Sequence, residues 1–388
     1  MKPATGLKVP ILRIPFPEEA RRFIHDSLDQ VLSSGFLTMG QFTRDFEERF
    51  AEFSGAKYAI ACNSGTSALE MIIRSLGVRG KSIIVPTNTF IATGFAVINS
   101  GNRIIFADSR PETLCLDVDD VARRIDKNTA AVITVHIGGV IEPNVYKLRQ
   151  LCDAKGLCLI EDCAHAHGCS IDSRAAGTLG VAGAFSFFPT KALVTGEGGM
   201  VVTNDEALYK NALKLRNHGK DPELGNRMSV VGNNWRMSEI TAILGVQQMR
   251  CAAELIAQRQ DIARFYDRAL ASIDGISPLK IADNVNSSYY KYVVYLNERF
   301  DRANIKRTLK ETYQVNLTGE VYADLCHTEP VWRNVDYAGQ PGPAPPVSFD
   351  EFPGAEYLAK HHICLPLYPG LTNEEREWVV ESLKEVIA

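Results

Sequence analysis

The stretch AAVITVHIGGVIEPNVYKLRQLCDAKGLCLIED, residues 130–162, decides the fold. It opens with a short β-branched run, AAVITVH, and passes through VYKLRQLCDAKG, which reads as a helix. It closes with a second apolar run, LCLIED. Neither run alternates apolar with polar residues, which is the pattern of strands covered on both faces. Working outward, KYAIAC precedes the helically spaced SALEMIIRSLGV, with apolar residues at Ala68, Leu69, Ile72, Ile73 and Leu76. KSIIVP and NRIIFAD continue the alternation between about residues 57 and 205. Strands alternating with helices predict an α/β domain on a mostly parallel sheet. Ligands of such sheets gather at the carboxyl ends of the strands. Polar residues wait at those ends: Asn63-Ser64-Gly65-Thr66, Asp108, His136 and Glu161-Asp162. Ser186 lies in the apolar run just before Lys191.

Beyond Asp205 the pattern changes. EALYKNALKLRNHG and the long SEITAILGVQQMRCAAELIAQRQDIARFYDRALASI read as helices, the second long enough to link two domains. YYKYVVYL reads as a strand, and DRANIKRTLKETYQ and TNEEREWVVESLKEVIA as helices. We therefore expect a large domain over residues 1–245 and a smaller α+β domain over residues 246–388. The proline- and glycine-rich residues 339–354 are expected to form an extended connector.

The 388 residues, 45% hydrophobic and 23% charged, can build a sizeable core. A net charge of −4 gives no electrostatic reason to expect nucleic acid or an anionic membrane as partner. No run reaches the ~20 apolar residues of a membrane span. The first residues, MKPATGLKVPILRIPFPEEA, lack the apolar stretch of a signal peptide, so a cytoplasmic location is expected. Nine cysteines, many inside apolar runs, read as free thiols in a reducing compartment. Cys163 and Cys169 flank two histidines in EDCAHAHGCS, but the paired C-x-x-C spacing of zinc sites is missing and no metal is expected. His136 is expected to be structural, and His361-His362 to lie on a surface strand edge.

Three features carry chemistry. Gly65-Thr66 opens a helix directly after a strand, which suits either an anion at free backbone N–H groups or a simple N-cap by Thr66. Asp162, at a buried strand end, needs a cation or strong donors, and a protonated ring nitrogen would serve. Lys191 sits between the apolar FSFF and a glycine cluster at Gly196, Gly198 and Gly199. It is either a surface charge on a loop or a pocket amine whose lowered pKa makes it a nucleophile. Anchor, carboxylate and amine together are what pyridoxal phosphate requires.

NSGTSAL (63–69), PTNTFIAT (86–93), EDCAHAHG (161–168), FSFFPTKALVTGEGGMVVTN (185–204), LRNHG (215–219) and NNWRMSE (233–239) stand in order along the chain. The set resembles the DegT/DnrJ/EryC1/StrS family of pyridoxal-phosphate-dependent sugar aminotransferases, a branch of the aspartate aminotransferase-like fold, over more than half of the chain. The resemblance implies the type I fold, with a large, mostly parallel seven-stranded sheet domain and a smaller C-terminal α+β domain. It implies three catalytic residues: Lys191 as the Schiff-base lysine, Asp162 as partner of the ring nitrogen, and His165 beside the cofactor's phenolic oxygen, where glutamine is usual. Gly65, Thr66 and Ser186 would hold the phosphate and Phe90 would stack on the ring. Asn234 would reach the phosphate from the neighbouring subunit of a homodimer with shared active sites; a local cap on the following helix is the alternative for it.

The implied reaction moves an amino group from an amino acid, expected to be glutamate, through pyridoxamine phosphate to a keto-sugar, expected to be nucleotide-linked. Alternatives on the same fold are an aromatizing lyase resembling aminohydroxybenzoate synthases, a cyclitol aminotransferase and a non-catalytic scaffold. A dehydratase branch replaces the Schiff-base lysine with histidine, and Lys191 argues against it. Departures from the family pattern are His165, Trp235, the VHIGGVIEPNVYKL segment and a loosely similar C-terminal half. They touch the acceptor more than the cofactor.

Overall fold

The computed structural model describes residues 7–333 and 352–388, so all but the last three residues of the 339–354 connector lie outside it. Seven strands form the main sheet: β1 (Tyr58–Cys62), β2 (Ser82–Pro86), β3 (Arg103–Ala107), β4 (Thr129–Val135), β5 (Cys158–Asp162), β6 (Ala182–Ser186) and β7 (Gly199–Thr203). Their spatial order is β1-β7-β6-β5-β4-β2-β3. The pairs from β6 to β3 are parallel, whereas β7 runs antiparallel to both of its neighbours. The sheet is therefore mostly parallel, as the alternation of strands and helices predicts.

The strand side chains divide between two cores with the period of two that a pleated strand imposes. Ile60, Ile83, Val85, Ile133, Ile160 and Val201 face one helical layer, and Ala59, Ile84, Val132, Leu159, Phe185 and Val202 face the other. The first layer includes α3 (Gly65–Ser75), α4 (Ile91–Asn99) and α7 (Glu206–Arg216). In α3 the apolar positions read from the sequence, Ala68, Leu69, Ile72 and Ile73, are all buried. The second layer includes α2 (Gln41–Ser54), α6 (Val145–Lys155) and the start of α8 (Glu239–Leu270). Burying one such aliphatic or aromatic side chain contributes roughly 1.5–3 kcal/mol.

A third core gathers the far half of α8 with β8 (Ile276–Pro278), β9 (Tyr292–Leu296), β10 (His362–Leu365), α9 (Arg302–Tyr313) and α11 (Asn373–Ile387). Val9 belongs to this core and bridges Val315, so the segment ahead of α1 (Glu18–Ser34) packs on the C-terminal core. The remaining helices are α5 (Val118–Arg124) and α10 (Pro353–His361).

Two polar residues fall in places that the sequence does not suggest. Asp108 is not a ligand-facing group at the end of β3. Its carboxylate accepts the N–H groups of Gly354 and Ala355 at 3.0 and 2.8 Å and so caps α10, whose own N-cap residue, Phe352, offers no side-chain bond. His362 is fully buried, not on a surface edge: Nδ1 donates to the Leu358 carbonyl at 2.6 Å and Nε2 accepts the Val321 N–H at 3.1 Å.

Glu239 joins α2 to α8. Its buried carboxylate accepts the N–H groups of Gly40, Phe42 and Thr43 at 2.8, 2.7 and 2.9 Å, and also the Thr43 hydroxyl. These are donors that α2 leaves unpaired at its first turn, where Gly40 has no side chain to cap them. The same two helices meet closely at Gly245, where an added Cβ would stand 2.5 Å from the Phe46 ring. Glu239→Ala should therefore strand three buried N–H groups and cost about 3–5 kcal/mol. Urea denaturation measures this, and a loss below about 1 kcal/mol would show that the cap is not structural.

Candidate active site

Where the sheet ends toward the C-termini of its parallel strands, a cavity of about 390 Å³ opens. It is lined by Gly65, Thr66, Phe90, Asp162, His165, Ser186 and Lys191, seven of the eight residues that the motifs single out. Each ends a strand or lies on the loop or helix start that follows one: β1 delivers Gly65 and Thr66, β2 Phe90, β5 Asp162 and His165, and β6 Ser186 and Lys191.

The phosphate corner is shaped by close backbone approach. A Cβ at Gly65 would stand 2.8 Å from the Ser186 Cβ, so only glycine lets the start of α3 meet the end of β6. The N-cap of α3 is Ser64, not Thr66: its hydroxyl accepts the Ser67 N–H at 3.1 Å. Gly65 and Thr66 are thereby left at the first turn of α3 on the cavity wall, where helix N–H groups and dipole favour an anion.

Lys191 lies on the twelve-residue connection between β6 and β7. The connection is tied by Phe187 N–H to the Gly198 carbonyl, 2.9 Å, by Thr195 N–H to the Phe187 carbonyl, 2.8 Å, and by Val194 N–H to Gln248 of α8, 3.2 Å. Burial lowers the Lys191 amine to about 8; Asp162 opposes the shift and Lys291 adds to it. The ammonium lies 5.1 Å from the centre of the Tyr290 ring. An amine in this range is partly neutral near physiological pH, which a nucleophile needs.

Asp162 is buried, and burial raises its carboxyl above the ordinary range. Thr93 donates its hydroxyl to Oδ2 at 2.8 Å and Ala164 its N–H to Oδ1 at 3.1 Å. Among the described residues no cation stands within ion-pair distance of it. A protonated ring nitrogen is the kind of partner that would relieve such a carboxylate. Phe90, just before α4, is 59% exposed and lines the cavity wall, offering an apolar face. Helix N-terminus, buried acid, amine of lowered pKa and open aromatic face together fit pyridoxal phosphate.

Among the lining residues not singled out from the sequence are Thr93, Tyr290 and Tyr322. Thr93 lies within the PTNTFIAT motif, and Tyr290 is the second residue of the run that reads as a strand; Tyr322 has no sequence signal. Tyr290 stacks on His165 with ring centres 4.0 Å apart and donates to or accepts from Thr190 Oγ1 at 3.2 Å.

Asn234 does not line this cavity. It is exposed, and its backbone bridges Asn217. It does not cap α8 either, since Ser238 is the N-cap and accepts the Thr241 N–H at 3.1 Å. His136, Glu161 and Cys163 lie close enough together to hold a metal. Glu161, however, already accepts N–H groups from Gly177, Leu179 and Gly180 at 2.6–2.8 Å as well as bonding His136 at 2.9 Å. Burial also pushes the Cys163 thiol far above its usual range, so the cluster reads as internal bracing. All nine cysteines are free.

Comparison with known proteins agrees with the geometry. Residues 18–384 match the model of the DegT/DnrJ/EryC1/StrS aminotransferase family. The chain is 30% identical over 383 residues to a GDP-perosamine synthase of Vibrio cholerae, covering 97% of this chain and 98% of that one. It is 31% identical over 372 residues to a dTDP-3-amino-3,4,6-trideoxy-alpha-D-glucose transaminase of Micromonospora megalomicea subsp. nigra, covering 95% and 96%. Among solved structures, the aminotransferase TlmJ of Streptoalloteichus hindustanus is similar with a TM-score of 0.85 at 29% identity, over 98% of both chains. NtdA of Bacillus subtilis, solved with pyridoxamine phosphate bound, gives 0.86 at 27% identity, over 100% of this chain and 87% of that one. Fold, site and relatives converge: the chain belongs to the DegT/DnrJ/EryC1/StrS aminotransferase family and is a pyridoxal-phosphate-dependent aminotransferase.

Proposed function

We propose that the enzyme transfers an amino group from glutamate to a nucleotide-linked keto-sugar, acting in the cytoplasm as a homodimer. Residues 1–245 would form the cofactor domain and residues 246–388 the smaller domain. The observation that carries the reading is the joint placement of the Lys191 amine and the Asp162 carboxylate in one cavity beside the start of α3. The relatives named above act, by name, on GDP- and dTDP-linked sugars, which supports the acceptor class.

Bound here, pyridoxal phosphate would supply an electron sink for an amino-bearing carbon that loses a proton. Gly65, Thr66 and Ser186 would hold its phosphate, Phe90 would cover its ring and Asp162 would keep its ring nitrogen protonated. Lys191 would hold its carbonyl. When free, it would take up on Nζ the proton that the donor's amino-bearing carbon loses and, in the reverse half, deliver one to the carbon that gains the amino group. With an amine near 8, most of this lysine is protonated at neutral pH and the neutral share grows as pH rises. The rate at which the apoprotein acquires the visible band of covalently held cofactor should climb with pH to a midpoint near 8. A midpoint near that of an ordinary lysine would contradict the pocket's effect. Lys191→Ala should keep its fold, bind cofactor without the covalent link and lose turnover by about 10²–10⁴-fold or more. Full activity in that variant would remove Lys191 from the mechanism.

The acceptor class is tested by loading the enzyme with pyridoxamine phosphate and offering keto-sugars with and without a nucleotide. Return of the visible cofactor band with the nucleotide-linked compounds alone is expected. Equal response to free keto-sugars or cyclitol ketones would overturn the nucleotide-linked reading.

The dimer rests on surface chemistry. Phe36 and Leu37 are 71% and 53% exposed, and Met228 and Val231 are 64% and 85% exposed. The Phe36–Leu37 segment meets the start of α8, where the Leu37 carbonyl accepts the Glu239 N–H at 3.0 Å. Large apolar side chains left this exposed suit a covered interface. Asn234 belongs to the same 217–238 segment, so it would serve the partner's phosphate site. Co-expressed Lys191→Ala and Asn234→Ala chains, each inactive alone, should then regain up to about a quarter of wild-type activity, because half of the dimers are mixed and each has one intact site. Well-folded mixed dimers without activity would assign Asn234 to its own subunit.

A further inference from the structure

The direction of hydrogen bonding can be followed through three residues of the site. The Gly138 N–H lies 3.4 Å from His165 Nδ1, and an amide can only donate, so Nδ1 holds a lone pair. Burial, aided by Lys191 and Lys291, keeps the buried imidazole neutral, which leaves its one proton on Nε2. Nε2 lies 3.3 Å from the Tyr322 hydroxyl. Nε2–H therefore donates to the phenol oxygen, and the phenol's own proton is left to point elsewhere. The His165 bond is the one that Tyr322 Oη makes among the described residues, and Tyr322 lines the cavity. Donation runs from Gly138 to His165 to Tyr322 and then into the cavity.

Every link of this chain is independently held. Gly138 and Gly139 have φ of 69° and 88°, and a Cβ at Gly139 would stand 2.6 Å from the Tyr290 nitrogen. Lys291 N–H donates to the Gly138 carbonyl at 3.0 Å and Ser287 Oγ to the Gly139 carbonyl at 2.6 Å, which aims the Gly138 amide. Tyr290 stacks on the imidazole. Tyr322 donates its N–H to Asn88 Oδ1 at 2.8 Å, and Cys326 N–H bonds the Thr87 carbonyl at 2.9 Å. The tyrosine is thus pinned to the loop that leads into Phe90.

We propose that Tyr322 is a further catalytic residue, whose hydroxyl donates to the ring oxygen of bound pyridoxal phosphate, and that His165 is a positioning residue acting through it. This rests on the pyridoxal-phosphate reading of the cavity but reassigns the contact that the family resemblance gives to His165. A phenol donor at that oxygen stabilises its anionic form and so holds the cofactor more tightly.

The test uses two readouts besides turnover. In the apoprotein, ¹⁵N-histidine NMR of wild type and Tyr322→Phe reports the tautomer of His165. The proposal requires a bare Nδ1 and a protonated Nε2 in wild type, with the Nε2 resonance shifted in the variant. Equilibrium binding of pyridoxamine phosphate, which forms no covalent link, is then measured for wild type, Tyr322→Phe and His165→Gln. Loss of one charge-assisted bond should weaken binding roughly tenfold in Tyr322→Phe, and His165→Gln should lose less. A protonated Nδ1, or Tyr322→Phe binding within twofold of wild type while His165→Gln falls further, overturns the proposal and returns the contact to His165. A wild type that binds no pyridoxamine phosphate overturns the underlying reading and the proposal with it. Thermal unfolding of Tyr322→Phe near the wild-type temperature excludes misfolding as the cause of weaker binding.

Discussion

Two backbones meet at the closed end of the site with no room for a side chain between them. An added Cβ at Gly199 would lie 2.1 Å from the Ser64 carbonyl oxygen, and one at Gly65 would crowd Ser186. This contact sets β7 between β1 and β6, against the direction of both. The reversal creates the connection that carries Lys191, and it leaves the first turn of α3 beside the Ser186 hydroxyl. Phosphate corner and amine are therefore consequences of one packing constraint. A larger residue at either glycine would push α3 away and disturb both together.

The interior around this contact is unusually cationic. Lys191 and Lys291 both lie within about 5 Å of the Tyr290 ring centre, and Arg259 is buried enough to fall to about 10. Arg259 donates from Nη1 to the Tyr289 and Leu367 carbonyls at 3.2 Å, not to an acid, and its buried Nε has no partner among the described residues. Asp162 is the buried carboxylate that opposes the lowering of Lys191. A ligand that brings a phosphate and a cationic ring nitrogen would answer both imbalances at once. Charge and shape point to the same kind of molecule.

Much of this was legible in the sequence because the strands are short, apolar and end in distinctive polar residues. Gly65, Asp162, Ser186 and Lys191 follow or end such strands, and their convergence needs only the rule for parallel sheets. Other residues depended on long-range pairing that no local pattern carries. Asp108 looks like a ligand at a strand end but caps a helix more than 240 positions away. His362 reads as a surface edge but is closed over by Leu358 and Val321. Tyr322 sits in GEVYADLCH, which has neither helical nor strand period, and is placed by bonds to Thr87 and Asn88. Ser64 and Thr66 are both acceptable caps, and the hydroxyl that wins is decided by where β1 releases the chain.

The stitching of residues 321–327 to the Thr87–Asn88 loop bears on how the enzyme handles its ligands. Phe90 and Tyr322 approach the cavity from opposite parts of the chain, yet both are held through Thr87 and Asn88, and their rings lie 6.4 Å apart. These two walls must travel as one body. Such a site is built before its ligand arrives, so little binding energy is diverted into ordering it. Between these two walls a ligand is then selected by how well it fits a spacing already set, not by the walls closing on it.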